Sequence, residues 1–153
     1  MHKVLFVCLG NICRSPAAEA IFFDMALQKG LEVEVDSCAV GTWNLGHPPH
    51  PMIVNACEKR GHSINNQRKA RLILPIDFEK YDLILAVERS VKEELLSMAP
   101  NSSKHKIELL TAFSKRFHNQ DIQDPYNGKE EEFDRVVEMA EDSCEGLIKK
   151  LQS

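Results

Sequence analysis

The segment Lys3-Val4-Leu5-Phe6-Val7-Cys8-Leu9-Gly10-Asn11-Ile12-Cys13-Arg14-Ser15-Pro16 decides how the rest of the chain is read. Lys3 to Val7 is a short apolar run with two valines that stops at the loop signal Gly10-Asn11, so it predicts a buried strand. Ser15-Pro16 then starts a helix, with serine as N-cap and proline at the first helical position, where its missing N–H costs nothing. Ala17 to Gln28 follows with apolar residues at Ala18, Ile21, Phe22, Met25 and Ala26, and Gly30 closes the helix.

Working outward, strand and helix patterns alternate. Leu31 to Val35, Leu83 to Val87 and Ile107 to Leu110 read as further strands. Met52 to Arg60 and Ser90 to Met98 read as helices. Phe133, Val136, Val137, Ala140, Cys144, Leu147, Ile148 and Leu151 form one apolar stripe on a final helix. Cys38 to Pro51 is a proline-rich loop, Asp77 to Asp82 a turn, and Thr111 to Tyr126 a long polar loop. The expected fold is α/β: parallel βαβ units forming a sheet with helices on both faces. Ligands of such sheets bind beyond the carboxyl ends of strands, near helix N-termini, which is where Cys8 to Ser15 falls.

The 153 residues make one domain, spanning 1–153, with no repeat and no linker; 43 % are hydrophobic and 27 % charged, which excludes a disordered or low-complexity chain. No apolar stretch approaches the ~20 residues of a membrane span. The start of the chain has no cleavable signal pattern, so a cytoplasmic location is expected. A formal charge of −4 without a long basic run argues against nucleic-acid binding. Five scattered cysteines, Cys8, Cys13, Cys38, Cys57 and Cys144, read as reduced thiols. Cys8 and Cys13 have no second pair at zinc-site spacing.

The loop has the form Cys-x5-Arg-Ser between a strand and a helix. Such an arch can turn its backbone N–H groups inward and form a nest for inorganic phosphate or another oxyanion at a positive helix end. Gly10 and Asn11 tolerate the left-handed backbone it needs. Arg14 offers a planar fork for two phosphate oxygens, and its charge with the loop amides favours Cys8 as a thiolate nucleophile. Ser15 can donate its hydroxyl to that sulfur. A thiolate nucleophile also needs a proton donor for the leaving group. Asp124 in Gln123-Asp124-Pro125-Tyr126 is the candidate, with Tyr126 able to wall a pocket for an aromatic ring.

These motifs, with Asp36-Ser37, Gly46-His47-Pro48-Pro49 and Ala70-Arg71 before Asp77-Phe78, resemble the low-molecular-weight protein tyrosine phosphatase family over nearly the whole chain. The resemblance implies a single domain built on a four-stranded parallel sheet, with a phosphate-binding loop after the first strand. It implies hydrolysis of phosphotyrosine in proteins through a phosphocysteine on Cys8, with Arg14 clamping phosphate and Asp124 as general acid and then base, and no metal or other cofactor. Leu9, Gly10, Asn11, Ile12, Cys13 and Ser15 would surround the phosphate, with Ser37 supporting the loop and Trp43 and Tyr126 walling the cleft. Cys13 would be the redox partner of Cys8. The chain departs from the family at Asn127, where a second Tyr is frequent, and at Arg68, where some members carry His.

Three alternatives share the loop. An arsenate reductase needs a relay of further cysteines, which are missing between Cys57 and Cys144. A phosphoarginine phosphatase typically has Thr at the position of Ile12. A non-catalytic phosphotyrosine-binding module would lack the nucleophile or the acid. His47-Pro48-Pro49-His50 reads as a stiff loop rather than a metal site, and Glu130-Glu131-Glu132 as charge favouring a helix N-terminus. Arg68, Lys69 and Arg71 read as a solvated basic face.

Overall fold

In the computed structural model, which describes residues Met1–Ser153, four parallel strands form one sheet in the order β2-β1-β3-β4. The strands are β1 (His2–Cys8), β2 (Val33–Ala39), β3 (Leu83–Ala86) and β4 (Ile107–Leu109). The helices are α1 (Arg14–Gln28), α2 (Pro51–Lys59), α3 (Pro75–Lys80), α4 (Arg89–Met98) and α5 (Glu130–Gln152). β1 is central, and from Val4 to Cys8 its residues are apolar without alternation because both of its faces are covered. Val4, Phe6 and Cys8 face a core with α1, α2 and α5, while Leu5 and Val7 face a second core with α3 and α4. No helix is long and apolar enough to cross a membrane.

The chain leaves β1 toward β2 on one side and later returns to β3 on the other. A crevice opens at the carboxyl ends of β1 and β3, where the strand order reverses. The loop Leu9 to Cys13 leaves β1 there, and Glu88, just past β3, reaches Arg14 at the start of α1.

Several expected elements shift. β2 runs from Val33 to Ala39 rather than from Leu31 to Val35. Gly30, at φ 66°, closes α1, and the Leu31 N–H bonds Ala26 O at 2.9 Å, so Leu31 belongs to the helix terminus. Pairing with all of β1 draws Asp36 and Ser37 into the strand. The expected turn at Asp77 to Asp82 is partly helical: Pro75 opens α3, and Asp77 accepts the Leu74 N–H at 2.7 Å. Thr111 to Tyr126 is less polar in place than in sequence, since Phe117 and Ile122 are buried in the core. It begins within a 3-10 turn, Leu110–Phe113. Gly146 lets α5 pass against that turn, because a Cβ there would lie 1.8 Å from Phe113 O.

Candidate active site

Helix α1 begins at Arg14 with Cys13 as its N-cap residue and no capping side chain. Ser15 is therefore not the cap that its pairing with Pro16 suggests. Pro16 still lies in the first turn, whose N–H groups have no helical partner. The Ser15 hydroxyl is used differently: its Oγ lies 2.9 Å from Cys8 Sγ. The Asn11 N–H also donates to that sulfur, at 3.1 Å, and Cys8 is buried, at 2 % exposure.

Asn11 organises the loop. Its backbone is left-handed, at φ 58°, as expected for this short amide side chain. Its Nδ2 donates to Ser15 Oγ at 2.8 Å and to Ser37 Oγ at 3.0 Å. Its Oδ1 accepts from the Arg71 N–H at 3.1 Å and from Arg68 Nη2 at 3.3 Å. The directions follow from these partners. Both amide protons of Asn11 are committed, which leaves the Ser15 hydroxyl proton for the sulfur and the Ser37 proton for Glu19 Oε1, 2.6 Å away.

Arg68 and Arg71 are not a solvated face, because the topology brings carboxylates to both. Arg68 bonds Glu19 at 2.5 Å and Ser37 O at 3.0 Å. Arg71 joins Asp36 of β2 at 3.0 Å to Asp77 of α3 at 2.9 Å. Burial pushes the Glu19 carboxyl above its ordinary value, against the pull of Arg68 and the Ser37 hydroxyl.

Beyond the loop lies a cleft of about 620 Å³ whose lining includes Cys8, Arg14, Trp43, Asp124 and Tyr126. Leu9, Gly10, Asn11, Ile12 and Cys13 line it as well. The N–H groups of Leu9, Gly10, Ile12 and Cys13 donate to no protein acceptor, while Asn11 supplies its own to the sulfur. Arg14 is held from behind: Nη1 donates to Ile122 O at 2.9 Å and meets Glu88 at 3.2 Å. Its Nη2 is 3.9 Å from Asp124 Oδ2. Asp124 closes a tight turn by accepting the Tyr126 N–H at 3.1 Å.

Trp43 is 73 % exposed and Tyr126 54 %, so both rings stand out at the cleft. Gly41 makes room for the indole, since a Cβ there would come within 2.1 Å of it. His50 proves to be the N-cap of α2: its Nδ1 accepts the Met52 N–H at 3.1 Å, and its ring packs 5.0 Å from Phe133. Burial and then the nearby Cys8 hold the Cys13 thiol well above the ordinary range, although Arg14 pulls the other way. Burial likewise raises the thiols of Cys38, Cys57 and Cys144, which fill the core.

The structure thus brings Cys8, Arg14 and Asp124, read from sequence, onto one cleft, with Ser15 and Ser37 behind it. Sequence reasoning missed Glu88, Glu19 and the inward roles of Arg68 and Arg71. It also missed Asn44 and Glu132, which line the cleft. Only the family's His at the position of Arg68 carried a signal. A sulfur, a guanidinium, unpaired amides and a carboxyl group together can hold a tetrahedral oxyanion and exchange a proton with it.

Comparison with known proteins shows the family of the chain. The family described as low molecular weight phosphotyrosine protein phosphatase matches residues 3–153. The low molecular weight phosphotyrosine protein phosphatase of Sus scrofa is 38 % identical, over 98 % of this chain and 96 % of its own. A protein tyrosine phosphatase from Entamoeba histolytica, crystallised with Hepes in the active site, superimposes with a TM-score of 0.95 at 34 % identity, covering 99 % of this chain and 97 % of that one. The fold also accommodates the YwlE arginine phosphatase, seen as a mutant with a phosphorylated active-site serine, at TM-score 0.88 and 28 % identity, covering 99 % and 96 %. On its sequence, fold and matched length, the chain belongs to the low molecular weight protein tyrosine phosphatase family.

Proposed function

We propose that the protein hydrolyses phosphotyrosine in proteins, and aryl phosphates generally, through a phosphocysteine on Cys8 and without a metal ion. The observation that carries this reading is the shared cleft: Cys8 Sγ, touched by Ser15 and Asn11, lies on the same cleft as Arg14 and Asp124. In the first step Cys8 Sγ attacks phosphorus, the ester P–O bond breaks, and Asp124 gives its proton to the leaving phenolate. In the second, Asp124 takes a proton from a water that attacks phosphorus. The S–P bond breaks, the sulfur leaves as a thiolate held by the Ser15 hydroxyl, and inorganic phosphate is released. Arg14 and the loop amides hold the equatorial oxygens throughout, stabilising charge that metal ions neutralise in other phosphoryl-transfer sites. Leu9, Gly10, Asn11, Ile12, Cys13 and Ser15 enclose the phosphate, and Trp43 and Tyr126 flank the ring.

The test is phosphate release from para-nitrophenyl phosphate with and without EDTA, and from phosphotyrosine, phosphoserine and phosphoarginine. Activity that persists with EDTA, is abolished by Cys8→Ser and is greatest on phosphotyrosine is expected. The likeness to the arginine phosphatase makes phosphoarginine the second reading, and Ile12, which lacks a hydroxyl for positioning water, speaks against it. A kcat/KM greatest for phosphoarginine overturns the choice of substrate.

A further inference from the structure

The walls of the cleft carry a charge pattern that holding a phosphate does not require. Its charged lining consists of Arg14, buried beside the sulfur, and two carboxylates, Asp124 and Glu132. Glu132, in the first turn of α5, is fixed there by the backbone. Its Oε2 accepts the Lys129 N–H at 2.8 Å, and the carboxylate folds over Gly128, where a Cβ would lie 1.6 Å from it. No cation of this chain pairs with it. Lys59 takes Glu130 and Asp134 instead, both at 2.8 Å. Arg68 and Arg71, which reach the loop from behind, are bound to Glu19, Asp36 and Asp77. These cations are thus paired away from the cleft, and Lys129, exposed next to the start of α5, does not line it, so the charge of Glu132 is left to act on what enters.

We infer that Glu132 is a specificity-determining residue that favours substrates with a lysine or arginine beside the phosphorylated tyrosine and disfavours acidic neighbours. The inference rests on the phosphotyrosine reading above. With the phosphate beside Cys8, a tyrosine ring spans the cleft and leaves the peptide at its mouth. A neighbouring side chain then lies within the ~8–10 Å over which charges interact in physiological salt. A cleft with low-dielectric walls concentrates that field.

The experiment compares two phosphotyrosine peptides that differ only in carrying Lys or Glu next to the phosphotyrosine. Their kcat/KM ratio is measured at low ionic strength on the unmodified enzyme and on Glu132→Gln. Glutamine can still accept the Lys129 N–H, so the helix start is kept, and a ratio within each protein cancels any general change in activity. An exposed ion pair alters affinity about twofold to fivefold, so the lysine peptide should be favoured roughly fivefold. In Glu132→Gln the ratio should fall to about twofold or less, with Asp124 supplying the remainder. Equal rates on the unmodified enzyme, a preference for the glutamate peptide, or a ratio unchanged in Glu132→Gln would each overturn the inference alone. Turnover of para-nitrophenyl phosphate with neither peptide hydrolysed would overturn the phosphotyrosine reading and the inference with it.

Discussion

Replacing Arg68 separates a structural support from a solvated charge. Its guanidinium contacts Glu19 at 2.5 Å, Ser37 O at 3.0 Å, Asn11 Oδ1 at 3.3 Å and Asp36 at 3.5 Å. Removing one member of a fully buried ion pair costs about 3–5 kcal/mol. Here the Arg68 and Glu19 side chains are 14 % and 21 % exposed, so water partly solvates the abandoned carboxylate. We expect Arg68→Ala to lose about 2–3 kcal/mol, below the fully buried range. At roughly 2–4 °C per kcal/mol for a chain of this size, Tm should fall by about 5–10 °C. The loss should depend on pH with a definite sign. Burial already holds Glu19 above its ordinary value, so its ionisation costs stability as pH rises through the folded-state value. Without Arg68 that cost grows. The deficit should be full at neutral pH and shrink as pH falls toward the ordinary Glu value of ~4.3 and below. Activity should fall as well, because Asn11 loses one of the two donors that orient its amide. A drop of about tenfold in kcat corresponds to ~1.4 kcal/mol in the barrier. Arg68→Lys should recover most of the stability through its charge and less of the rate, since an ammonium cannot reproduce the planar fork. Urea melts from neutral to acid pH and kcat on para-nitrophenyl phosphate give both readouts. An Arg68→Ala protein within about 0.5 kcal/mol of the parent, at unchanged kcat, would show the residue to be an ordinary surface charge.

Asp124→Asn should lower kcat/KM, which reports the step that expels the leaving group, by about 10²–10⁴-fold on phenyl phosphate and much less on para-nitrophenyl phosphate, whose leaving group needs little protonation. Equal losses on the two esters would show that another group is the acid. Peroxide should oxidise Cys8 to a sulfenic acid, which the Cys13 thiol then captures as a disulfide with loss of water, and dithiothreitol should restore activity. Cys13→Ser should stay active but recover poorly after peroxide, and full recovery would remove the protective role. Trp43→Ala should weaken discrimination for aromatic over alkyl phosphates by roughly 0.5–1.5 kcal/mol, read as the ratio of their kcat/KM values. An unchanged ratio would place the ring elsewhere in the cleft.

What the sequence discloses and what it hides divide along physical lines. Local chemistry is readable: the apolar run of β1, the stop at Gly10-Asn11, the stripe of α5 from Phe133 to Leu151, and the Asp124 turn closed by the Tyr126 N–H. Each is written within a few residues. Leu31 misleads because alternation resembles a strand, while Gly30 at φ 66° makes it part of the closure of α1. Ser15 misleads in the opposite way. It looks like a cap, yet the sulfur seven residues earlier claims its hydroxyl. The supports of the site join distant segments: Glu88 to Arg14, Glu19 to Arg68, Asp36 to Arg71. Those pairs exist only once the strand order 2-1-3-4 is set, and no periodicity encodes them. A run such as Arg68-Lys69-Ala70-Arg71 looks solvated until its carboxylates arrive from α1, β2 and α3.

The most direct test of the account is to find the covalent intermediate. The enzyme is mixed rapidly with excess para-nitrophenyl phosphate, quenched in acid, and its peptides are mapped by mass spectrometry. One phosphoryl group per chain should appear on the peptide containing Cys8, formed together with a burst of para-nitrophenol and absent from Cys8→Ala. A phosphoryl group on any other residue, or full turnover by Cys8→Ser, would contradict the mechanism.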